Sequence, residues 1–138
     1  MDILNTPKIL QRAIHTLDDA ITETSRPKED VVTYSVCSKL RNSTYDFLSC
    51  YLMVNHVHFK ENMTISEMKN LCGKIDSSFN ELHFSYIPCF NEGHDHNDSY
   101  CQEVNVVNKC LIDVEKTKNL VINNSKIKNI MNELHLQS

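Results

Sequence analysis

Hydrophobic positions recur at helical spacing in five stretches of the chain. Thr6 and Pro7 are typical of a helix start, and Pro27 ends the first helix because proline cannot continue it. The apolar stripe of this helix is Leu10, Ala13, Ile14, Leu17 and Ile21. A long second helix is predicted over about 28–56, with its apolar face formed by Val36, Leu40, Phe47, Leu48, Tyr51 and Leu52, and with Cys37 and Tyr34 beside it.

Two capping boxes mark later helix starts, because each pairs a hydroxyl residue with Glu or Gln three positions on. Thr64–Glu67 begins a third helix with Met68, Leu71, Cys72 and Ile75 on one face, and one further turn is predicted near Ser78 and Glu81. Residues 83–98 are irregular, and Ser99–Gln102 begins a helix that runs to about Val121. After a break at Asn123 and Asn124, a terminal helix carries Ile127, Ile130, Met131 and Leu134; we expect it to pack on its own bundle, with a dimer contact as the alternative.

The composition narrows the fold class further. The 138 residues include only 2 Gly and 3 Pro, too few for the tight turns of a sandwich, a barrel or a phosphate-binding loop. Short links between helices favour antiparallel neighbours. The chain is therefore predicted to be a single all-α domain over 1–138: an up-and-down four-helix bundle with its core at about 6–121, a short extra helix, and a C-terminal helical appendage at about 125–136.

Charge and cysteine usage bear on the compartment. The net charge is −4, which does not indicate a general nucleic-acid binder, and no apolar run reaches the length of a membrane span. The first residues do not resemble a signal peptide, so a cytoplasmic location is expected. On this view most of the six cysteines are buried free thiols, with disulfides in a secreted protein as the alternative. Four glycosylation sequons, at Asn42, Asn62, Asn97 and Asn123, are then attributed to chance.

The order of elements resembles a known family. The segments that carry the resemblance are Ser38–Leu52, Thr64–Met68, Leu71–Asp76 with Phe79, and Tyr100-Cys101 followed by Val104, Val107 and Cys110. Over roughly residues 8–121 this run resembles the HEPN family of small helical bundles. The resemblance implies a homodimer. In many members an Arg, a following polar residue and a His four to six positions after the Arg form a groove that cuts RNA, often in toxin–antitoxin or defence systems, whereas other members bind nucleotides or act as scaffolds.

The catalytic motif is incomplete here. Arg41 is followed by Asn42, but the positions where the His should stand hold Asp46, Phe47 and Leu48. The resemblance therefore favours a HEPN-like, non-catalytic binding module for a nucleotide, RNA or a protein partner. One alternative is a divergent metal-independent ribonuclease. Another, suggested by the cysteines and sequons, is a secreted disulfide-linked helical signalling protein.

Candidate site residues follow from charge and donor type. Arg41, Asn42, Lys116 and Lys118 are the candidate ligand-binding residues, because cations and amides suit phosphate and base groups. Cys89, His94, His96 and Cys101 have the donor set of a tetrahedral zinc site, although the spacing is not that of a zinc knuckle. The expectation is an ordinary loop with two unlinked cysteines and no metal or other cofactor, with a zinc site or a Cys89–Cys101 disulfide as the alternatives. The connector histidines His56 and His58 are expected to be exposed.

Overall fold

The structure is a computed structural model that describes residues 3–27, 33–82 and 104–135; the side chains of 33, 34 and 104–106 lie outside this description. Across these ranges all regular structure is helical. A 3-10 turn at Ile3–Asn5 leads into α1 (Thr6–Thr24), which is followed by α2 (Thr33–Val54) and α3 (Ile65–Ile75). A second 3-10 turn covers Ser77–Glu81, and α4 (Val104–Ile122) and α5 (Ser125–Glu133) complete the chain. The prediction of an all-α fold is confirmed, and the up-and-down HEPN-like arrangement stays a prediction.

The α2 helix is the centre of the fold, because it contacts α1, α3, α4 and α5. Its approach to α1 is close where small side chains face that helix. Ser43 is fully buried, and its hydroxyl donates to the Ala13 carbonyl oxygen at 2.8 Å. Nearer the C-terminal end of α2, the buried thiol of Cys50 donates to the Thr6 carbonyl oxygen at 3.8 Å. Small polar residues on α2 therefore let α1 pack against its backbone.

The predicted apolar faces form one core. Phe47 and Phe79 are its largest fully buried side chains, and the Tyr51 and Phe79 rings lie 4.6 Å apart between centroids at 49°. Val107 and Val114 bring α4 into the same cluster. The side chains of Tyr34 and Val104 lie outside the description. The prediction that Ile75 belongs to the apolar face of α3 is wrong, because Ile75 remains 41% exposed at the end of that helix.

The helix ends mostly follow the predicted signals. At Thr64, both hydrogen bonds of the capping box form with Glu67. The turn at Ser77–Glu81 was predicted, but its cap is Asp76, whose carboxylate accepts from the Ser78 backbone N–H at 2.9 Å. Asn124 caps α5, so the predicted break also starts the next helix. The second capping box, Ser99–Gln102, lies outside the described residues.

At the C-terminal end of α2 a histidine takes the position that glycine usually holds at a helix end. The His56 N–H donates to the Met53 carbonyl at 3.1 Å and the Val57 N–H to the Leu52 carbonyl at 3.0 Å. These two bonds are the Schellman pattern, which normally has glycine in the left-handed position. Here His56 holds that position with φ of 58°. Both His56 and His58 are exposed, as predicted.

The terminal helix α5 packs on its own bundle, as predicted. Ile127 is fully buried and Met131 is 3% exposed. The Lys126 ammonium donates to the Val54 carbonyl at 3.0 Å, so it satisfies a backbone oxygen at the end of α2. The Lys126 side chain therefore tethers α5 to the central helix. No helix in the described ranges is long and apolar enough to cross a membrane.

Candidate functional site

Two of the predicted ligand-binding residues line the same surface depression. Arg41 and Asn42, on the outer face of α2, meet the connector between α2 and α3 in a cavity of about 270 Å³. We call it the α2–α3 cavity. Its lining residues are Arg41, Asn42, Tyr45, Glu61, Asn62, Met63, Thr64 and Ile65.

Hydrogen bonds hold the connector wall of this cavity in place. The Tyr45 hydroxyl donates to the Glu61 carbonyl oxygen at 3.0 Å, and the Lys60 backbone N–H points to the Met63 sulfur at 3.3 Å. Burial and, to a smaller extent, the charges of Glu61 and Asp46 raise the pKa of Tyr45. Tyr45 therefore keeps its proton and remains a donor near neutral pH.

Two arginines lie near the cavity, and among the described residues only one of them has an ion-pair partner. The Arg12 guanidinium donates to both carboxylate oxygens of Asp46, at 2.8 and 2.9 Å. This hydrogen bonding, together with the carboxylate charge, raises the pKa of Arg12. Within the described residues Arg41 has no hydrogen-bond or ion-pair partner. Arg41 is therefore the cation available to a ligand in the α2–α3 cavity.

The polar surface continues beyond this cavity towards α1. A neighbouring depression of about 360 Å³ is lined by Arg12, Thr16, Asn42, Tyr45 and Asp46. Asn42 and Tyr45 border both depressions. Sequence reasoning missed Arg12 and Tyr45. The available signal was Asp46, a carboxylate at a buried position of α2 that needs a cationic partner.

The other two predicted residues are not brought to this site. Lys116 is exposed and Lys118 half-buried on α4, and neither lines the cavities described on α1 and α2. The predicted set therefore splits into the α2–α3 cavity and a separate face of α4.

The three positions where the ribonuclease motif would place a His are engaged elsewhere in the fold. Asp46 is bound to Arg12, and Phe47 and Leu48 are fully buried in the core. The lining of the α2–α3 cavity includes no His. A guanidinium, amides and hydroxyls can hold an anionic or polar group, and the Glu61 carboxylate lines the same cavity.

The cysteines of the described core differ from one another. Cys50 and Cys72 are buried free thiols, as predicted. Burial raises the pKa of Cys50 far above its usual range and that of Cys72 to about 12, so neither is a nucleophile near neutral pH. The expectation of a free thiol is wrong for Cys37, which is disulfide-bonded. The Cys37 side chain is 1% exposed and lies in the hydrophobic core. A buried apolar position suits a thiol and one half of a disulfide equally well, so the sequence pattern alone could not distinguish them.

The candidate zinc ligands Cys89, His94, His96 and Cys101 all lie outside the described residues. In residues 3–27, 33–82 and 104–135, no group of three or more His, Cys, Asp or Glu side chains could hold a metal. The disulfide partner of Cys37 also lies outside these ranges, where the remaining cysteines are Cys89 and Cys101.

Comparison of the chain with protein-family models, with curated proteins and with solved structures finds no significant match.

Proposed function

We propose that this chain is a disulfide-linked helical bundle of an oxidising compartment, and that it acts by binding a protein partner in the manner of a secreted signalling protein. The observation that supports this most is the disulfide at Cys37. Disulfides form and persist in secreted proteins and in oxidising compartments, and they are rare in the cytosol.

The location of Cys37 favours a structural role for its disulfide. Disulfides that switch or catalyse in reducing compartments need an accessible sulfur with a lowered pKa. Cys37 is 1% exposed and lies on the helix that contacts α1, α3, α4 and α5. A reductant or a partner thiol reaches the Cys37 sulfur only when the core opens, which favours a structural crosslink over a redox switch.

The surface supports binding rather than catalysis. The cavities along α1, α2 and the α2–α3 connector combine the Arg41 guanidinium with amides, hydroxyls and two carboxylates, and among the described residues they bring no nucleophile next to an orienting base. A small rigid bundle with a polar groove is suited to recognition of a partner.

Free-thiol counting tests this proposal. The full chain is purified without reductant, denatured, and reacted with an alkylating reagent, and the adducts are counted by mass. At most four of the six cysteines should react before reduction and all six after it. Six reactive thiols before reduction would contradict the proposal and favour the cytoplasmic location. Peptide mapping then shows whether Cys37 is joined to Cys89 or Cys101, and either bond removes one thiolate from the zinc candidate set.

A second candidate function has its own supporting observation, the pairing of Arg41 and Asn42 in the α2–α3 cavity. In this reading the chain is a cytoplasmic HEPN-like module that binds a nucleotide or RNA without cutting it, forms a homodimer and serves a toxin–antitoxin or defence system. The unpaired Arg41 would hold a phosphate, and the cavity of about 270 Å³ is near the lower end of the usual size for small-molecule sites, about 300–1,000 Å³.

Fluorescent mononucleotide and RNA binding distinguish this second candidate. Arg41→Ala should abolish binding, whereas Arg26→Ala removes an equal charge from the end of α1 and should leave it intact. Lys116→Ala and Lys118→Ala test whether the α4 face contributes. Labelled RNA incubated in EDTA tests the divergent ribonuclease: cleavage that Arg41→Ala removes would favour it over both binding functions.

A further inference from the structure

We propose that Asn62 and Asn123 are N-glycosylation acceptors and that Asn42, which has an equally good sequon, is not. The inference rests on the proposed secretory function, since glycan transfer takes place in the same oxidising compartment as disulfide formation. It reverses the expectation that the sequons arise by chance. Asn97, the fourth sequon asparagine, lies outside the described residues.

Asn62 lies in a turn that the fold presents at its surface. The asparagine is exposed in the α2–α3 connector. The third residue of its sequon, Thr64, is the cap of α3, and its hydroxyl exchanges hydrogen bonds with Glu67 at 3.0 and 3.1 Å in an exposed position. The backbone at Thr64 is extended, with φ of −72° and ψ of 160°. The acceptor amide and the sequon hydroxyl therefore both reach solvent outside helical structure.

Asn123 occupies the corresponding place between α4 and α5. It is exposed, and the two residues after α4 form a turn in which Asn124 has an extended conformation, with φ of −67° and ψ of 133°. The third residue of this sequon, Ser125, is exposed at the first position of α5. This site resembles that of Asn62, because a turn asparagine precedes an exposed hydroxyl at the start of the next helix; the helix cap is the second sequon residue here and the third at Asn62.

Asn42 differs from Asn62 and Asn123 in the two residues that follow it, which the transferase must also recognise. It lies in the middle of α2, and both following residues, Ser43 and Thr44, are fully buried. The Ser43 hydroxyl donates to the Ala13 carbonyl and the Thr44 hydroxyl to the Leu40 carbonyl, each at 2.8 Å. In the folded chain both hydroxyl-bearing residues of this sequon are therefore helical, buried and hydrogen-bonded, so the Asn42 sequon is not presented to the transferase.

The transfer step needs one co-reactant, an oligosaccharide carried on a lipid diphosphate and supplied by the transferase of the secretory pathway. The side-chain amide nitrogen of Asn62 or Asn123 attacks C1 of the first sugar. The N–C1 bond forms and the bond from C1 to the diphosphate oxygen breaks. The lipid diphosphate leaves with the bonding electron pair, the amide nitrogen loses one proton, and no atom changes oxidation state.

Glycan mapping of the full chain tests the inference. The chain is secreted from eukaryotic cells behind a cleavable heterologous signal peptide, and a leaderless cytosolic version is the control. N-glycosidase treatment in heavy-oxygen water converts each glycan-bearing Asn into labelled Asp, which peptide mass spectrometry locates. We expect label at 62 and 123, none at 42, and none at any site in the cytosolic control.

Three single variants give an independent readout on a gel. Asn62→Gln and Asn123→Gln should each remove one glycan's mass, whereas Asn42→Gln should leave the migration unchanged. A secreted chain without N-glycosidase-sensitive mass but with the Cys37 disulfide intact would overturn this inference and leave the proposed function standing. Glycan on Asn42 with none on Asn62 would also overturn it. Six free thiols in the secreted chain would instead contradict the proposed function, whatever the glycan count.

Discussion

Arg12 on α1 holds Asp46 on α2 through two nearly equal hydrogen bonds, Nε to Oδ2 at 2.8 Å and Nη2 to Oδ1 at 2.9 Å. The arginine side chain is 64% exposed, whereas the aspartate side chain is only 8% exposed. Such paired bonds from a guanidinium to a carboxylate are stronger and more directional than single contacts. The pair therefore joins α1 to α2 beside the depression that Arg12, Asn42 and Tyr45 line.

Removing the arginine should destabilise the fold, because it leaves the Asp46 carboxylate mostly buried without its partner. Exposure of Arg12 moderates the loss, so we expect Arg12→Ala to lower the free energy of unfolding by about 1–2 kcal/mol. The matched control is Arg26→Ala, whose ion pair with Glu23 at 3.3 Å lies within one helix end and should be worth under about 0.5 kcal/mol. Urea unfolding measures both, and equal losses would refute the special role of the Arg12–Asp46 pair.

The Cys37 disulfide should contribute a reductant-sensitive part of the stability. Reduction is expected to lower the free energy of unfolding by about 2–4 kcal/mol, because the open chain has more conformational freedom when unfolded. Cys37→Ala should begin at the lower stability and show no further response to reductant. Cys50→Ala is the control, since Cys50 is a buried free thiol and its loss should leave the response to reductant intact. Thermal melts with and without reductant provide the measurement.

Two of the buried thiols, Cys50 and Cys72, predict a loss of stability at alkaline pH. Burial raises the pKa of Cys50 strongly and that of Cys72 to about 12, from an ordinary value of 9.0. Above pH 9.0 the unfolded chain loses these protons while the folded chain keeps them, so unfolding releases protons and becomes easier as the pH rises. The stability contribution is complete below pH 9.0 and lost on the way to about pH 12.

Urea midpoints measured from neutral pH to about pH 10.5 test this dependence, within the range where thiols titrate. Cys72→Ala should flatten the slope. Burial also raises the pKa of Tyr45 and Tyr51, and the charge on an ionised Cys72 adds to the rise at Tyr51, so the difference between the two curves reports Cys72 together with its effect on Tyr51. Identical slopes would show that the Cys72 thiol ionises as readily in the folded chain as in the unfolded one.

Local sequence signals predicted the helices well, and long-range partners poorly. The Thr64 capping box and the Asn123-Asn124 break are local features, and both appear as helix boundaries. Arg12 and Asp46, by contrast, are 34 positions apart, and nothing in either neighbourhood specifies the other. The same reason explains Cys37: an apolar helical position does not distinguish a buried thiol from a disulfide, because the difference lies in a distant segment.

The candidate site was predicted only in part, for a similar reason. Arg41 and Asn42 are adjacent on one helix, so a motif could identify them together. Tyr45 joins them because its hydroxyl holds the connector at Glu61, a contact that depends on how the chain turns after α2. Lys116 and Lys118 share only their charge with Arg41, and charge alone does not place their side chains beside the α2–α3 cavity.

The left-handed histidine at the end of α2 offers a stabilising substitution. His56 has φ of 58°, a conformation that costs a residue with a Cβ about 1–2 kcal/mol, whereas glycine adopts it freely but loses more entropy on folding. We therefore expect His56→Gly to raise the free energy of unfolding by about 0.5–1 kcal/mol. His58→Gly is the matched control: this exposed histidine has no positive φ, so the change should lower stability slightly. A thermal melt showing a loss at both positions would contradict the Schellman geometry.

The terminal helix provides a test of how much of the fold depends on residues beyond α4. Ile127 on α5 is fully buried, so Ile127→Ala should lower the free energy of unfolding by about 2–4 kcal/mol through lost burial and the cavity that remains. Ile112 on α4 is 56% exposed, and Ile112→Ala should change stability by less than about 0.5 kcal/mol. Urea unfolding at several protein concentrations distinguishes packing within one chain from packing between chains. A large, concentration-dependent loss for Ile112→Ala would show that a second copy covers α4, as the homodimer of the second candidate function requires.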